Sequence, residues 1–245
     1  ILFDLSGHTG KNRLPIFINK PAPVQVTWAG YLSSTGLKEI DYIIGDPYVT
    51  PEKSDEYFSE KIFRLQNIWC CFSHPGFSIQ VKELPAIKNK YVTFGCFNSQ
   101  AKINNKMISL WCKILLGTPG SKIFLKNKEL QDSSLKEKLI NIFEKNGIKS
   151  NSVILEAGSP RNKFLDSYNK IDIALDTFPY SGGTTSFEAV WMSTPVLTKR
   201  GLRFISRSTE SINHNLNMSD WIALDENDYV KKAIEFSKKL DLLRE

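Results

Sequence analysis

Residues 171–198 read IDIALDTFPYSGGTTSFEAVWMSTPVLT, and this stretch decides the fold. The apolar run 171–175 (IDIAL) has the length and composition of a buried strand. A glycine-bearing loop, Ser181-Gly182-Gly183-Thr184-Thr185, opens a helix through Trp191, and 195–198 (PVLT) is again strand-like. Strand, helix and strand in so short a span are the parts of a parallel βαβ unit. Upstream the alternation continues. Residues 152–156 (SVILE), 122–126 (KIFLK) and 91–97 (YVTFGCF) are further short β-rich runs. Between them, 103–116 sets Ile103, Met107, Leu110, Trp111, Ile114 and Leu115 on one helical stripe. Gly117, expected in a left-handed cap, and Pro119 supply its stop. Ser134 and Glu137 form a capping-box pattern ahead of Leu135, Leu139, Ile142 and Phe143, and Gly147 ends that helix. Ser159 and Pro160 read as an N-cap followed by proline at the first helical position. Downstream, 225–240 is a final amphipathic helix. The pattern predicts an α/β fold, a doubly wound parallel sheet of Rossmann type from about residue 88 onward.

The first part of the chain is less regular. Residues 1–5, 24–28 and 41–44 look like strands, separated by loops that hold Gly7, Gly10, Gly30 and Gly36. Residues 73–90 contain Pro75, Gly76 and Pro85, lack periodicity and read as a linker. The expected division is 1–87, the C-terminal part of one Rossmann-like domain plus linker, and 88–245, a second such domain. No internal repeat is evident.

The chain has 245 residues, with 32 Lys+Arg against 26 Asp+Glu and a formal charge of +6. Its 41% hydrophobic and 24% charged content is ordinary for a globular protein and excludes disordered, collagen-like and low-complexity classes. No run of about 18 apolar residues is present to span a membrane. The sequence begins with Ile1, shows no signal peptide, and is read as a portion of a longer, cytoplasmic chain. Cys70, Cys71, Cys96 and Cys112 show no metal-ligand spacing, and the adjacent pair reads as two small core residues on a strand. His8, His74 and His214 are far apart, which argues against a zinc site. Bases and acids are interspersed without a basic stripe, which argues against nucleic acid as a partner.

Open parallel sheets bind ligands beyond the carboxyl ends of their strands. After 91–97 come Asn98, Ser99, Gln100 and Lys102. A lysine at the entrance to a helix opposes the macrodipole, a misfit that a bound phosphate relieves. A solvated lysine in a first turn is the plainer alternative. The second segment is the SGGTT loop, with Glu188 placed one turn later. Two glycines admit close backbone approach, and free amides with two hydroxyls make an anion site. A carboxylate at Glu188 suits ribose hydroxyls. Plain capping, with Thr184 as N-cap and Glu188 serving the dipole, accounts for the same residues. The loop is not GxGxxG and no GxxxxGKS/T occurs, so dinucleotide and P-loop readings recede. No GxSxG elbow supports a serine nucleophile, and His214 reads as an ordinary surface residue following a helix. In the first half, Ser6-Gly7-His8-Thr9-Gly10 also follows a strand's carboxyl end, as a site loop or a simple turn.

Three blocks, in order, carry a family resemblance: 4–46 (DLSGHTGKNRLPIFINKPAPVQVTWAGYLSSTGLKEIDYIIGD), 97–104 (FNSQAKIN) and 175–198. With PAPVQ..W.GY, FN...KI and GGTT..EA.W, the chain resembles the catalytic region of the O-linked N-acetylglucosamine transferases over nearly its whole length. The loop forms look more like bacterial members. The resemblance implies a two-Rossmann, GT-B type glycosyltransferase fold, with the first domain incomplete. It implies UDP-N-acetylglucosamine as donor, bound mainly by the second domain, and neither metal nor cofactor. Lys102 matches the family lysine that contacts the diphosphate and stabilises charge on the departing UDP. Asn98 and Ser99 lie beside it. Gly182, Gly183, Thr184 and Thr185 match the helix start that holds the diphosphate, and Glu188 matches the acidic ribose ligand. Gly158, Arg161 and Phe164 fall in the segment around the uracil, and His8 matches a loop position in the first domain.

The chain departs from the family pattern at several points. Phe164 stands where members often carry histidine, Ser99 replaces a larger polar residue, Leu32 and Ser33 replace Pro-Gly, and Ser181 replaces Asn. The implied activity is inverting transfer of N-acetylglucosamine to Ser/Thr hydroxyls of proteins. Transfer from UDP-glucose to asparagine, or a nucleotide-sugar-binding module without turnover, are the alternatives. Implied partners are the donor and a protein or peptide acceptor, with no nucleic acid and no membrane. Tetratricopeptide repeats, the acceptor-side histidines and the catalytic base are expected upstream of Ile1.

Overall fold

The structure, a computed structural model, describes residues 1–244. The chain divides into two units, Ile1–Phe72 with Gly201–Asn217, and Ser73–Arg200 with the chain from Met218 onward. The division therefore falls at Ser73 rather than residue 88, and a segment of the second half belongs to the first unit. The packing explains both differences. Phe77, Ile79 and Leu84, in the stretch read as a linker, pack on the core of the second unit. Phe204 is buried edge-on to Trp69 of the first, ring centroids 5.0 Å apart.

In the first unit, β1 (Leu2–Asp4), α1 (Leu14–Ile18), β2 (Gln25–Thr27), β3 (Tyr42–Gly45) and β4 (Lys61–Arg64) succeed one another. The strands form a parallel sheet in the order β1-β2-β3-β4. The fourth strand escapes a reading by apolar runs because KIFR alternates exposed and half-buried positions at a sheet edge. Aspartates at strand ends fix the loops beyond them. Asp4 accepts from the Gly7 amide (2.8 Å) and Thr27 Oγ1 (3.0 Å), and Asp46 from the amides of Tyr48 (2.8 Å), Val49 (2.8 Å) and Trp69 (2.9 Å). Cys70 and Cys71 are not on a strand. Cys71 is exposed, and Cys70 is half-buried in the small cluster around Trp69.

The second unit contains α2 (Pro85–Asn89), β5 (Thr93–Cys96), α3 (Asn105–Gly117), β6 (Lys122–Asn127), α4 (Ser133–Lys145) and β7 (Val153–Ala157). Next come α5 (Arg161–Asp166), β8 (Ile173–Leu175), α6 (Thr184–Trp191) and β9 (Val196–Lys199). After α7 (Ser208–Asn215), which lies in the first unit, come β10 (Ile222–Ala223), α8 (Glu226–Ser237) and α9 (Leu240–Arg244). Every pairing is parallel, in the order β10-β9-β8-β5-β6-β7, which is the doubly wound sheet the sequence predicts. Phe94 lies opposite both Ile123 and Ile173 at the centre. Met107, Trp111 and Ile114 of α3 cover one face, and Leu165, Tyr168 and Ala189 the other. Burial of the larger aliphatic side chains, Met107, Ile114 and Leu165, contributes about 1.5–3 kcal/mol each.

Several local expectations need correcting. Asp132, not Ser134, caps α4, its carboxylate accepting from the Ser134 amide (2.8 Å). Pro160 occupies the N-cap of α5 with extended ψ, so Ser159 caps nothing and the helix starts at Arg161. Gly117 is the last residue of α3 and not a left-handed cap; a Cβ there would overlap Ile234 of α8, so the glycine permits close helix packing. Gly147 does take a left-handed φ of 82° after α4. His214 lies within α7 and stacks on Tyr48, centroids 4.2 Å apart.

Candidate functional site

The strand order of the second unit reverses between β5 and β8. From β5 the chain winds outward through β6 and β7, then returns to β8 on the other side of β5 and winds the opposite way. The loops leaving these two adjacent strands diverge and open a crevice, the usual ligand position in such sheets. Asn98–Lys102 leave β5, and Asp176–Gly183 leave β8. The two segments picked out from the sequence therefore meet at one point, and direct contacts join them.

Lys102 closes a 3-10 turn, Gln100–Lys102, ahead of Asn104, whose side chain caps α3 by accepting from the Met107 amide (2.9 Å). It thus precedes the α-helix and does not oppose its dipole from within the first turn. Its half-buried ammonium donates to Ser181 O (2.8 Å) and lies 3.8 Å from the centre of the Tyr180 ring. Burial lowers its pKa below the ordinary lysine value, while the Asp176 carboxylate works in the opposite direction.

Asp176, 2% exposed, gathers the crevice. Oδ1 accepts from the amides of Gly182 (2.6 Å) and Thr177 (2.8 Å) and from Asn98 Nδ2 (3.3 Å). Oδ2 accepts from Thr198 Oγ1 (2.8 Å), and the backbone carbonyl from the Tyr229 hydroxyl (2.9 Å). Asn98 also donates to Thr177 Oγ1 (2.8 Å) and accepts from the Thr185 hydroxyl.

Gly183 is the N-cap of α6, so Thr184 is already helical, and no side chain caps this end. The amides of Gly183, Thr184 and Thr185 have no intrahelical acceptor, and they form the positive end of the helix dipole. A Cβ on Gly182 would overlap Ser186 Oγ, whereas one on Gly183 would meet open space. Thr184 is exposed and Thr185 half-buried. The arrangement can receive an anion on three backbone amides, a threonine hydroxyl and one ammonium.

Glu188 lies in the second turn of α6, not the first, and is buried. Its carboxylate pairs with Arg161 of α5 at 2.7 Å. Burial raises its pKa, and Arg161 opposes the rise. Phe164 packs edge-on to Phe97 (5.6 Å between centroids) and Tyr168 (6.2 Å) in the second core cluster. Gly158, at the end of β7, stands against Lys128. Ser99 is exposed and only its carbonyl is engaged, accepting from the Lys102 amide (3.0 Å). His8 belongs to the first unit, where Nε2 lies 2.8 Å from Thr35 O and the ring meets Tyr31 edge-on.

Asp176, Tyr180, Thr198 and Tyr168, whose hydroxyl donates to Thr185 O (2.9 Å), go unremarked in the sequence reading. A signal was present for the first: a carboxylate directly follows the buried run IDIAL, at a strand's carboxyl end. Among the described residues no group of three or more His, Cys, Asp or Glu could hold a metal ion, and no helix is long and apolar enough to cross a membrane.

A parallel-sheet unit with a crevice at its switch point that can receive an anion is an architecture shared by many phosphate- and nucleotide-binding domains. Glycosyl transferase family 41 matches residues 1–84 and 73–245, and the chain belongs to that family. It is 34% identical over 244 residues to the "Probable UDP-N-acetylglucosamine--peptide N-acetylglucosaminyltransferase SPINDLY" of Solanum lycopersicum, covering 99% of this chain and 26% of the relative. It is 26% identical to the Arabidopsis thaliana protein similarly named and designated SEC, over 81% of this chain and 21% of the relative. A solved O-GlcNAc transferase mutant from Thermobaculum terrenum superposes with a TM-score of 0.92 at 36% identity, over 99% of this chain and 46% of that one. The chain spans about a quarter of the length of the curated relatives it matches.

Proposed function

We propose that the chain is the donor-binding part of a protein O-GlcNAc transferase, which moves N-acetylglucosamine from UDP-N-acetylglucosamine to Ser/Thr hydroxyls. The observation that carries this reading is the meeting of Lys102, Asn98, Thr185 and the start of α6 at the switch point of the second unit. The diphosphate would lie over the amides of Gly183–Thr185 with Lys102 beside it, and Arg161, Phe164 and Glu188 would flank the nucleoside. The acceptor oxygen attacks the anomeric carbon from the face opposite the diphosphate. The bond from that carbon to the phosphate oxygen breaks, configuration inverts, and the electron pair leaves on UDP. The hydroxyl proton passes to a base outside this donor crevice. Charge grows on the β-phosphate in the transition state, where preorganised amides and an ammonium stabilise it most. These groups take the place that a divalent cation fills in other nucleotide-sugar chemistry, so no metal is required in this scheme.

Calorimetric titration with UDP, with and without magnesium and beside GDP, tests the reading. The expected result is magnesium-independent binding selective for UDP, weakened at least about tenfold, or 1.4 kcal/mol, by Lys102→Ala. Binding that ignores the lysine substitution, or that prefers GDP, overturns it.

A further inference from the structure

We infer that Asp176 is the positioning residue of this crevice: one buried carboxylate fixes the Gly182 turn, the Asn98–Thr185 link and the surroundings of the Lys102 ammonium together. The inference rests on reading the crevice as a diphosphate site.

Asp176 touches no ligand in this arrangement, because every contact of its carboxylate is turned inward. Oδ1 draws the Gly182 amide down, at 2.6 Å, away from the crevice. The bond fixes the residue just before the N-cap Gly183, and the amides of Gly183, Thr184 and Thr185 follow as the donors without intrahelical acceptors at the start of α6. Asn98 lies 3.3 Å from the same oxygen and holds the Thr185 hydroxyl with its own amide oxygen. Thr198 braces Oδ2 from β9, and Tyr229 braces the backbone carbonyl from α8. Asp176 is thus braced from two elements, β9 and α8, and in turn joins the Gly182 turn to Asn98. A carboxylate is suited to this because it accepts several hydrogen bonds at once, and each is strengthened by its charge.

The carboxylate also acts on Lys102 through space. The groups that influence the ammonium are Asp176 and Cys96, at the ends of β8 and β5, together with the Tyr180 ring against it. Burial favours loss of the lysine proton and Asp176 opposes that loss. Without the negative charge, less of Lys102 is in its ammonium form as pH rises, so the site loses its attraction for phosphate at lower pH.

The test uses Asp176→Asn, a near-isostere that removes the charge. UDP affinity is measured by calorimetry from neutral pH to about pH 10.5, the ordinary lysine value. In the unaltered chain, affinity falls at the alkaline end as Lys102 deprotonates. In Asp176→Asn, affinity at neutral pH is expected to fall about tenfold, and the alkaline fall to begin at lower pH than in the unaltered chain. Thr198→Val removes one brace and keeps the charge. It is expected to weaken UDP about threefold with the alkaline limb in place, a loss of the order of one hydrogen bond. An alkaline limb unmoved by Asp176→Asn in a folded variant overturns the proposal, as does full affinity in Thr198→Val if the first variant does not fold. An unaltered chain that binds no UDP instead overturns the diphosphate reading, so the two failures are distinct.

Discussion

Asp172 precedes β8 at the opposite end of the sheet from the crevice, and its replacement by Asn should remove this residue's contribution to the pH dependence of stability. The side chain belongs to a residue only 1% exposed. Oδ1 accepts from the Ala86 amide and Oδ2 from the Thr93 amide, both at 2.7 Å, which ties α2 and β5 to β8. Burial raises the pKa from 3.8 to about 6, against the downward pull of the two amides. The folded chain therefore holds this proton more tightly than the unfolded chain. As pH rises from 3.8 towards 6 the unfolded state ionises first, so stability falls, and the loss is complete above the folded value. The interval corresponds to about 3 kcal/mol. Asparagine cannot ionise, yet it offers one acceptor where two are needed. Its amide nitrogen faces a buried N–H, at a cost of about 1–3 kcal/mol at every pH. The unaltered chain should thus exceed Asp172→Asn by about 1–3 kcal/mol near pH 4, and the advantage should vanish or reverse near pH 7. Paired urea denaturation at steps of pH, followed by tryptophan fluorescence, gives this difference while other carboxylates cancel. A difference that stays constant, or grows with pH, would refute the reasoning, since the amides would then be holding the carboxylate ionised.

Gly182→Ala places a methyl group against Ser186 Oγ and displaces the turn. It should weaken UDP binding about tenfold and cost about 1–3 kcal/mol of stability; calorimetry and urea melts check both. Glu188→Ala removes a buried carboxylate from beside Arg161. UDP affinity should fall about fivefold, equivalent to one hydrogen bond of about 1 kcal/mol, and unchanged affinity would leave Glu188 only its pairing with Arg161. Trp111→Ala empties a fully buried site in the centre of α3, where the indole also reaches the Tyr229 hydroxyl at 3.5 Å. It should cost about 3–5 kcal/mol in urea denaturation, and a loss under about 1 kcal/mol would contradict the close packing there.

The doubly wound sheet was legible because its strands are short, apolar and separated by helices with a clear stripe. β4 and β10 were not: one is an edge strand with alternating exposure, and the other has two residues, Ile222 and Ala223, recognisable only by pairing with β9. Lys102 and the SGGTT loop were legible as polar groups at strand ends, but their meeting was implied only by the family resemblance and not by spacing, because strand order is a long-range property. Asp176 was missed for a related reason. Its partners lie at 98, 177, 182 and 198, and a buried hub shows itself only when distant segments are in place. Helix starts failed at Ser134 and Ser159, where a neighbouring Asp132 and Pro160 took the cap position. Glu188 was legible as an acidic residue near the loop, but its pairing with Arg161, four residues beyond the end of β7, was not, since no local spacing announces it.

The excursion of Gly201–Asn217 into the first unit has a consequence for dissecting the molecule. The polypeptide crosses between units at 72/73, 200/201 and 217/218, so no single cut in the gene separates them. A truncation after Arg200 removes β10 and α8 from the second unit, and it also strips the first unit of Phe204 and of Ser211, whose hydroxyl reaches Asp46 at 2.5 Å. Damage at the C-terminal end of the chain is therefore felt in its N-terminal half. Isolating the second unit calls for replacing residues 201–217 by a short linker while retaining the chain from Met218 onward, and isolating the first calls for supplying those same seventeen positions, 201–217, as a graft.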